Sequence, residues 1–379
     1  MSLPLASPTG LQPNATIGIL GGGQLGRMSA LAAARLGYRA HVFAPEADQP
    51  AMQVAARHTV GDYTDEAALV EFARAIDVVT FEFENVPART LEILGTLAPC
   101  HPSAEVLAIC QDRIAEKRFL AEAGIPAAPW RAISSEAELR AAVAELGLPA
   151  VLKTTRLGYD GRGQAVLRDV ADTAPAWARL APRPLILEAF IPFTMELSVI
   201  VARGADGATA VFDIAENRHR NHILDITFAP ARVSPAVAAI AQAHARRLAA
   251  QLGLVGVAAL EMFLLADGTL MGNEIAPRPH NSGHWTMEAC TASQFEQHIR
   301  AVAGLPLADP ARHHDAVMCN LVGPEGMARW PRLLAGRGVV GHLYGKAEPR
   351  PGRKMGHATR LLPWESLAIM GDLEALGGF

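Results

Sequence analysis

The order of strand, glycine-rich loop and helix near the start of the chain is the feature that most restricts its fold. A short apolar run at residues 16–20 precedes Gly-Gly-Gly-Gln-Leu-Gly at 21–26, and a helical pattern covers 25–36. Two more apolar runs, at 40–43 and 77–83, are predicted strands. Strands that alternate with helices at this spacing pair in parallel through right-handed crossovers. We therefore predict an α/β fold that begins with a doubly wound parallel sheet.

The rest of the chain divides into further units. One helical segment is predicted over residues 104–123, and others over 136–146 and 234–252, the last with Ser234 as its N-cap and proline at the first helical position. Two apolar runs, 257–264 and 270–275, flank the turn Ala-Asp-Gly and predict a β-hairpin. After about Pro306 the chain is rich in glycine and proline, with short apolar runs. We expect three regions: a doubly wound domain at 1–105, a second domain at 106–305, and a small, mostly β portion at 306–379.

Composition excludes several classes of protein. Half of the 379 residues are hydrophobic, and a net charge of −4 leaves no basic surface of the kind that binds nucleic acid. We expect no nucleic-acid partner and no membrane partner, since no apolar stretch approaches the ~18 residues of a membrane span. The four cysteines form no Cys-x-x-Cys pair, and the opening residues lack a signal-peptide pattern. These features indicate a cytoplasmic protein.

The glycine loop at residues 21–26 has three open interpretations. Its glycines and the following helix N-terminus suit a phosphate group, as in dinucleotide-binding domains. The second strand, however, ends in Phe-Ala-Pro, so the acid that would hold a ribose is missing. The glycines could also serve only a tight turn, or bind a different phosphate. Glu82 and Glu84 lie at the carboxyl end of the predicted strand at 77–83, where ligands of such sheets bind. Because side chains alternate along an extended strand, both carboxylates are predicted to lie on the same side.

The middle of the chain suggests nucleotide chemistry. Lys153 ends an apolar strand and is followed by a loop with three glycines at residues 158–164. A lysine beside such a flap can bind polyphosphate, although no Walker A motif is present. The apolar segment at 185–191, which contains Glu188, could give an adenine ring its walls. Glu196 could accept hydrogen bonds from ribose hydroxyls.

Two acids in neighbouring apolar strands form the strongest signal. Glu261 lies in Ala-Leu-Glu-Met-Phe and Glu274 in Gly-Asn-Glu-Ile. An isolated carboxylate in an apolar strand is costly unless it is paired or binds a cation. With the amide of Asn273, the two acids make an oxygen-rich site that suits Mg²⁺. The alternative is a structural salt bridge to lysine or arginine.

These elements resemble the ATP-grasp superfamily, in which a strand lysine, a glycine flap, a hinge acid and two magnesium-binding acids occur in this order. More closely, the chain is similar to the 5-(carboxyamino)imidazole ribonucleotide synthases of purine biosynthesis. The matching stretches extend over residues 16–360 and include Asn-Ser-Gly-His-Trp-Thr at 281–286 and Gly-Arg-Lys-Met-Gly-His at 352–357. The resemblance implies an N-terminal doubly wound domain, a central ATP-grasp unit and a C-terminal portion that meet at one site, in a homodimer.

The resemblance also implies roles for individual residues. ATP would be bound by a first set: Arg113, Lys153, Gly158, Tyr159, Asp160, Gly161, Arg162, Gly163, Gln164, Glu188, Ala189, Phe190, Ile191, Glu196, His219, Asn273 and Glu274. Mg²⁺ would be held by Glu261 and Glu274. Aminoimidazole ribonucleotide and bicarbonate would be addressed by a further set: Gly23, Gln24, Leu25, Glu82, Arg278, His280, Asn281, Ser282, Lys346, Arg353 and Lys354. The implied catalytic residues are Lys153, Tyr159, Asp160, Arg278 and Lys346.

The implied reaction begins with transfer of the ATP γ-phosphoryl group to bicarbonate, which gives carboxyphosphate. Asp160 is the candidate acceptor of the amine proton, and its alternative is an ordinary turn residue. Arg278, Arg353 and Lys354 are the candidate clamp for the 5′-phosphate. Rival hypotheses are another ATP-grasp ligase, such as a formate-dependent ribonucleotide transformylase or biotin carboxylase, a dinucleotide-dependent oxidoreductase, and a non-enzymatic nucleotide-binding module.

Overall fold

The N-terminal region forms a parallel sheet with helices on both faces. The computed structural model describes residues 10–158, 163–372 and 376. The sheet has the strand order β3-β2-β1-β4, with every pairing parallel. Ile17 and Ile19 point toward α1, whereas Leu20 packs with Phe72 of α2, because alternate residues of a strand face opposite sides. The predicted doubly wound fold is confirmed. Its elements are β1 (Thr16–Leu20), α1 (Gln24–Arg35), β2 (Arg39–Ala44), β3 (Arg57–Val60), α2 (Glu66–Ala73), β4 (Val78–Phe81) and α3 (Ala88–Gly95).

The single helix predicted over residues 104–123 is wrong, because two helices occupy this segment. They are α4 (Ala104–Gln111) and α5 (Arg113–Glu122). Asp112 separates them in an extended conformation, with φ −121° and ψ 116°. Its carboxylate accepts the backbone N–H groups of Ile114 at 3.0 Å and Ala115 at 3.1 Å. Aspartate is a strong N-cap, so the second helix starts anew at Arg113.

A small antiparallel sheet with two helices on one face follows. Its strand order is β5-β8-β6-β7. Leu139 and Val143 of the first helix pack on Leu152 and Leu187 of the sheet. The elements are β5 (Trp130–Ile133), α6 (Glu136–Leu146), β6 (Ala150–Thr154), β7 (Gln164–Leu167), α7 (Thr173–Leu180) and β8 (Leu185–Ala189).

The largest sheet of the described residues joins the central region to the C-terminal portion. Its order is β14-β13-β9-β11-β12-β15-β17-β16, with β10 paired to β9. The predicted hairpin is present, and the C-terminal strands continue this same sheet through the β12–β15 pairing. The elements are β9 (Met195–Arg203), β10 (Thr209–Val211), β11 (Ala215–Arg220), β12 (Ile223–Ala229), α8 (Pro235–Gln251), β13 (Gly256–Leu264), β14 (Leu270–Ala276), α9 (Thr286–Ala289), α10 (Gln294–Val302), β15 (Asp315–Val322), α11 (Gly323–Leu334), β16 (Val339–Leu343) and β17 (Lys354–Leu362).

Helix α10 connects the N-terminal region to the central one. Its residues Ile299 and Val302 are buried in the same cluster as Ile17 and Ala30 of the N-terminal region. On its other side, His298 accepts the backbone N–H of Val257 in β13 at 3.2 Å. The two regions therefore pack together through α10. Among the described helices, none has both the length and the apolar character of a membrane span.

Candidate functional site

One cavity of about 640 Å³ is lined by all three parts of the chain. The N-terminal region contributes the glycine loop and the residues after β4, and the small sheet contributes β6, β7 and β8. The large sheet closes the opposite side with β9, β11, β13 and β14, and Lys354 starts the C-terminal strand that reaches it. Parts that are distant in sequence thus converge on one space.

A buried carboxylate between two lysines lies at the small-sheet wall. The Nζ atom of Lys153 is 3.0 Å from Oε2 of Glu188, and the Nζ atom of Lys117 is 3.5 Å from the same oxygen. Burial by itself would raise the pKa of Glu188, but the two lysines lower it to about 2. Lys117 also donates to the backbone oxygen of Asn273 at 2.9 Å. The cluster fixes Lys153 in the cavity wall and ties it to β14.

Apolar side chains form one end of the cavity. Phe193 and Phe263 stack with ring centroids 4.5 Å apart and planes at 6°, and Val151, Val166 and Phe190 lie in the same wall. This part of the cavity has the shape and polarity that an aromatic base requires. Of these, only Phe190 was predicted. Alternation could have found the others on strands, because Val151 lies two residues before Lys153 and Phe263 two residues after Glu261.

The two predicted acids are direct cross-strand partners. In the pairing of β13 and β14, Glu261 lies opposite Glu274. Burial raises the pKa of Glu261 to about 7, and the nearby charge of Glu274 adds to the effect. The Nε2 atom of His280 lies 3.4 Å from Glu261, but burial holds the pKa of this histidine well below 6.5 and keeps it neutral. An excess of negative charge on two oxygen-bearing side chains fits a divalent cation such as Mg²⁺.

The alternative of a structural salt bridge describes Glu274. The Nη1 atom of Arg113 lies 3.3 Å from Oε2 of Glu274. The other arm of Arg113 donates to the backbone oxygen of Gly158 at 3.1 Å. Arg113 therefore links the acid to the start of the glycine flap. The described contact of Glu261 is with His280, and the charges of His219 and Lys354 also act on this acid.

A histidine and a glutamate form a further pair in the cavity wall that contains Glu261 and Glu274. His219 on β11 and Glu196 on β9 form an ion pair that faces the cavity. Burial lowers the pKa of His219, but the carboxylate outweighs this and raises the pKa above 6.5. The pair therefore presents a partly cationic imidazole to the cavity near neutral pH.

The glycine loop is occupied by a carboxylate of the chain itself. Backbone N–H groups of Gly23 and Gly26 donate to the two oxygens of Glu82, the second at 2.7 Å. A Cβ on Gly23 would lie 2.5 Å from Glu82 Oε1, so glycine is required for this approach. Of the three interpretations of the loop, the tight turn with close packing agrees with this geometry. Glu82 and Glu84 do not continue a strand, since β4 ends at Phe81.

Cationic side chains lie near Glu82 and Glu84. Arg278 forms an ion pair with Glu84, which lines the cavity and which the sequence pattern placed with Glu82 at the end of the strand. Lys346 donates to the backbone oxygen of Lys354 at 2.7 Å. Burial and the charges of Arg353 and Lys354 lower the pKa of Lys346 to about 8, against the opposite effect of Glu82. The segment between β16 and β17, with the first residue of β17, thus brings a group of cations toward Glu82.

The placement of the predicted residues is uneven. Those in the cavity wall are Gly23, Gln24, Leu25, Glu82, Arg113, Lys153, Gly158, Gln164, Glu188, Ala189, Phe190, Ile191, Glu196, His219, Glu261, Asn273, Glu274, Arg278, His280, Asn281 and Lys354. Outside that wall are Gly163, Lys346, Arg353 and Ser282, the last fully buried and 2.9 Å from His280 Nδ1. Outside the described residues are Tyr159, Asp160, Gly161 and Arg162.

Three family models match the chain in succession. They are the ribonucleotide synthetase preATP-grasp domain at residues 14–111, the ATP-grasp domain at 118–295, and the phosphoribosylaminoimidazole carboxylase C-terminal domain at 316–365. With the small sheet, the large sheet and the lysine and acids between them, they define an ATP-grasp enzyme, an ATP-dependent ligase.

Individual relatives agree over nearly the whole chain. The N5-carboxyaminoimidazole ribonucleotide synthase of Brucella melitensis is 51% identical over 357 residues, which are 94% of this chain and 98% of that one. A crystal structure of an N5-carboxyaminoimidazole ribonucleotide synthetase with ADP has a TM-score of 0.90 at 44% identity, over 95% of this chain and 96% of that one. The Aspergillus clavatus synthase, solved with ADP and 5-aminoimidazole ribonucleotide, has a TM-score of 0.88 at 35% identity, with 94% and 96% covered. The chain belongs to the N5-carboxyaminoimidazole ribonucleotide synthase family.

Proposed function

We propose that this enzyme carboxylates 5-aminoimidazole ribonucleotide with bicarbonate and ATP in purine biosynthesis. The products are 5-(carboxyamino)imidazole ribonucleotide, ADP and phosphate, and carboxyphosphate is the intermediate. One observation carries the proposal. A single cavity joins a lysine-bearing nucleotide wall, a cross-strand pair of acids and residues of the glycine loop, with a cationic group beside it.

The geometry suits ATP with its base at the apolar end. Val151, Val166 and Phe263 would enclose the adenine, and the backbone of the segment after Glu188 would meet its edge. Lys153 and Arg113 would then face the phosphates, since both line the cavity and Arg113 contacts Glu274. Glu196 is proposed to accept from the ribose hydroxyls. His219, held by Glu196, would donate to a phosphate oxygen.

Mg²⁺ is proposed to bind between Glu261 and Glu274, with the amide of Asn273 beside them. Their cross-strand pairing and the raised pKa of Glu261 support this assignment. When bound, the ion supplies neutralisation of charge on the phosphate oxygens. Binding would also free Arg113 from its role as the partner of Glu274, so that its guanidinium can address phosphate.

The ribonucleotide is proposed to lie across the glycine loop and the C-terminal cations. Gly23, Gln24 and Leu25 line the cavity at the start of α1, with Asn281 and His280 on the other side. Arg278, Lys346, Arg353 and Lys354 supply positive charge that a 5′-phosphate requires. Ser282 fits this proposal as a support for His280, because it is fully buried and contacts the ring.

The chemistry requires two bond exchanges. An oxygen of bicarbonate attacks the γ-phosphorus, the bond to the β-phosphate oxygen breaks, and ADP leaves with that electron pair. The exocyclic amine of the ribonucleotide then attacks the carboxyl carbon of carboxyphosphate, and phosphate leaves. In the other route carboxyphosphate first breaks down to carbon dioxide and phosphate, and the amine attacks the carbon dioxide. The amine proton passes to a base, for which Asp160, with Tyr159 beside it, remains the proposed acceptor. A closed site protects carboxyphosphate from water.

We also propose that the enzyme is a cytoplasmic homodimer. Cys100, Cys110, Cys290 and Cys319 are free thiols, which suits a reducing compartment. Sedimentation of the purified protein at several concentrations tests the dimer, and cell fractionation tests the location.

Measurement of ADP release tests the proposed function. The purified protein is mixed with Mg²⁺, ATP and bicarbonate, with and without aminoimidazole ribonucleotide, and glycinamide ribonucleotide is the control acceptor. The proposal predicts ADP release that depends on aminoimidazole ribonucleotide, with one labelled carboxyl group fixed for each ADP. ADP release that is equal with the control acceptor, or absent with both, refutes the acceptor assignment.

A further inference from the structure

A cluster of two histidines and a glutamate lies behind the cavity wall. His342 on β16 and His357 on β17 are cross-strand partners, with ring centroids 4.8 Å apart and planes at 19°. Glu288 on α9 reaches them, and its Oε1 atom accepts from Nε2 of His342 at 2.6 Å. One ligand atom from each of the three side chains lies within 4.8 Å of the others. None of the three residues has a role in the proposed reaction.

Two of these potential ligand atoms have no partner. The Oε2 atom of Glu288 and the Nε2 atom of His357 are buried and make no hydrogen bond. His357 is fully buried, and the side chain of Glu288 is only 9% exposed. Buried polar atoms in native proteins nearly always have partners, so two unpartnered atoms in one cluster require an explanation.

The hydrogen bonding of His357 leaves one ring nitrogen that can bind a metal. The side chain is fully buried within the cluster. The hydroxyl oxygen of Tyr344 lies 2.8 Å from Nδ1 of His357. If Nδ1 donates its N–H to this oxygen, the lone pair of Nε2 remains free, as is common for metal-binding histidines.

We propose that Glu288, His342 and His357 bind one zinc-class transition-metal ion, with Zn²⁺ as the preferred metal. Two imidazole nitrogens and one carboxylate oxygen suit Zn²⁺, whereas the two carboxylates and the amide of the reaction site suit Mg²⁺. Tetrahedral zinc places its ligand atoms about 3.4 Å apart, so the stacked rings of His342 and His357 would rotate toward the ion when it binds. The proton on Nε2 of His342 would move to Nδ1, and the 29% exposure of this side chain gives the ion an entry path.

The proposed ion would have a structural role. Glu288 follows the cavity segment that contains His280 and Asn281, and β17 begins with Lys354 of the cavity wall. A metal held by α9, β16 and β17 would lock these two parts of the wall together. This inference does not depend on the identity of the ribonucleotide.

Zinc content tests the proposal directly. The protein is treated with a chelator, supplied with one equivalent of Zn²⁺ in excess Mg²⁺, passed through a desalting column and analysed for metal. We expect about one zinc per chain. In His342→Ala and Glu288→Gln the affinity should fall by at least about 100-fold, since even loss of a supporting partner costs about 10- to 100-fold. Tyr344→Phe removes the hydroxyl that contacts Nδ1 of His357, so the zinc affinity of this variant should fall by about 10- to 100-fold.

Controls separate this site from others. The exposed His314→Ala variant and the Glu261→Gln variant, which disables the acid pair, should both keep the zinc. If a variant fails to fold, the wild-type chain is titrated with Co²⁺ instead. Co²⁺ bound in a tetrahedral site with nitrogen ligands absorbs visible light, and we expect this absorption to saturate at one Co²⁺ per chain. No retained zinc, equal retention in Glu288→Gln and His342→Ala, or loss in Glu261→Gln would overturn the proposal.

Discussion

At the scale of single residues, the charge on Glu188 holds Lys153 in place. Glu188 is buried between two lysines, and removal of one partner would leave a buried charge poorly compensated. Lys153 contacts the carboxylate and also faces the cavity, whereas Lys117 is 1% exposed and contacts backbone as well. Lys153 therefore lies at the cavity, whereas Lys117 supports the buried carboxylate from behind the wall.

Replacement of Lys153 should remove most of the activity. Lys153→Met removes the positive charge that is proposed to stabilise the transferred phosphoryl group, and the rate of ADP formation should fall by at least about 100-fold. A coupled spectrophotometric assay measures this rate. Arg140→Met, an exposed cation on α6 of the same small sheet, should keep nearly full activity. Comparable activity of the two variants would contradict the role of Lys153.

The pKa of Lys346 predicts a pH dependence for ribonucleotide binding. Because this pKa is lowered to about 8, the ammonium is charged below pH 8 and loses its charge above it. The ratio kcat/KM for aminoimidazole ribonucleotide should therefore fall as the pH rises through about 8. Arginine stays charged, so Lys346→Arg should lack this fall. A wild-type profile that is flat across pH 8, or an unchanged fall in Lys346→Arg, would count against a contact between Lys346 and the ribonucleotide.

At the scale of helices and strands, Asp112 determines where α5 starts and so where Arg113 lies. Arg113 is the first residue of that helix, and it contacts both Glu274 and the start of the flap. The Asp112 cap therefore sets the position of Arg113 in the cavity wall and also stabilises α5.

Loss of the Asp112 cap should affect ATP binding. Asp112→Ala should lower the free energy of unfolding by about 1 kcal/mol and raise the KM for ATP. Asp65→Ala is the matched control, because Asp65 caps α2 by accepting the N–H of Ala68 and lies away from the cavity. Urea denaturation and steady-state kinetics measure both effects. If the two variants change KM for ATP equally, the positioning role of Asp112 is refuted.

Local patterns in the sequence predicted elements such as α1, α6, α8 and the hairpin of β13 and β14, whereas many other described elements, among them β3, α2 and α10, were not predicted. Helix α6 has the predicted bounds because Ser135 caps it and Gly147 ends it. The break at Asp112 was missed because apolar residues continue on both sides of the cap. The hairpin that pairs Glu261 with Glu274 was predictable from its short turn. The contact of Glu82 with Gly23 joins residues 59 apart, and the pairing of β12 with β15 also depends on the whole fold.

At the scale of the whole molecule, α10 makes the N-terminal and central regions one structural unit. Ile299 is fully buried among residues of the N-terminal sheet, although it follows the ATP-grasp strands in the chain. The predicted boundary at residue 105 separates sequence regions that share this core.

Truncation of Ile299 should destabilise the entire chain. Ile299→Ala should lower the free energy of unfolding by about 2–5 kcal/mol, and circular dichroism and tryptophan fluorescence should report the same transition. All five tryptophans lie beyond residue 105, so fluorescence reports on the other regions. Ile240→Ala, at an exposed position of α8, should change little. An early transition seen by circular dichroism alone would show that the N-terminal region unfolds independently.

The fate of a bicarbonate oxygen tests the central claim most directly. Bicarbonate labelled with ¹⁸O is supplied with ATP, Mg²⁺ and aminoimidazole ribonucleotide, and the phosphate formed is analysed by mass spectrometry. In the proposed route a bicarbonate oxygen attacks the γ-phosphorus, so each phosphate should contain one labelled oxygen, and the carboxyl group of the ribonucleotide product should be labelled too. Phosphate without label, formed together with carboxylated product, would contradict the carboxyphosphate route.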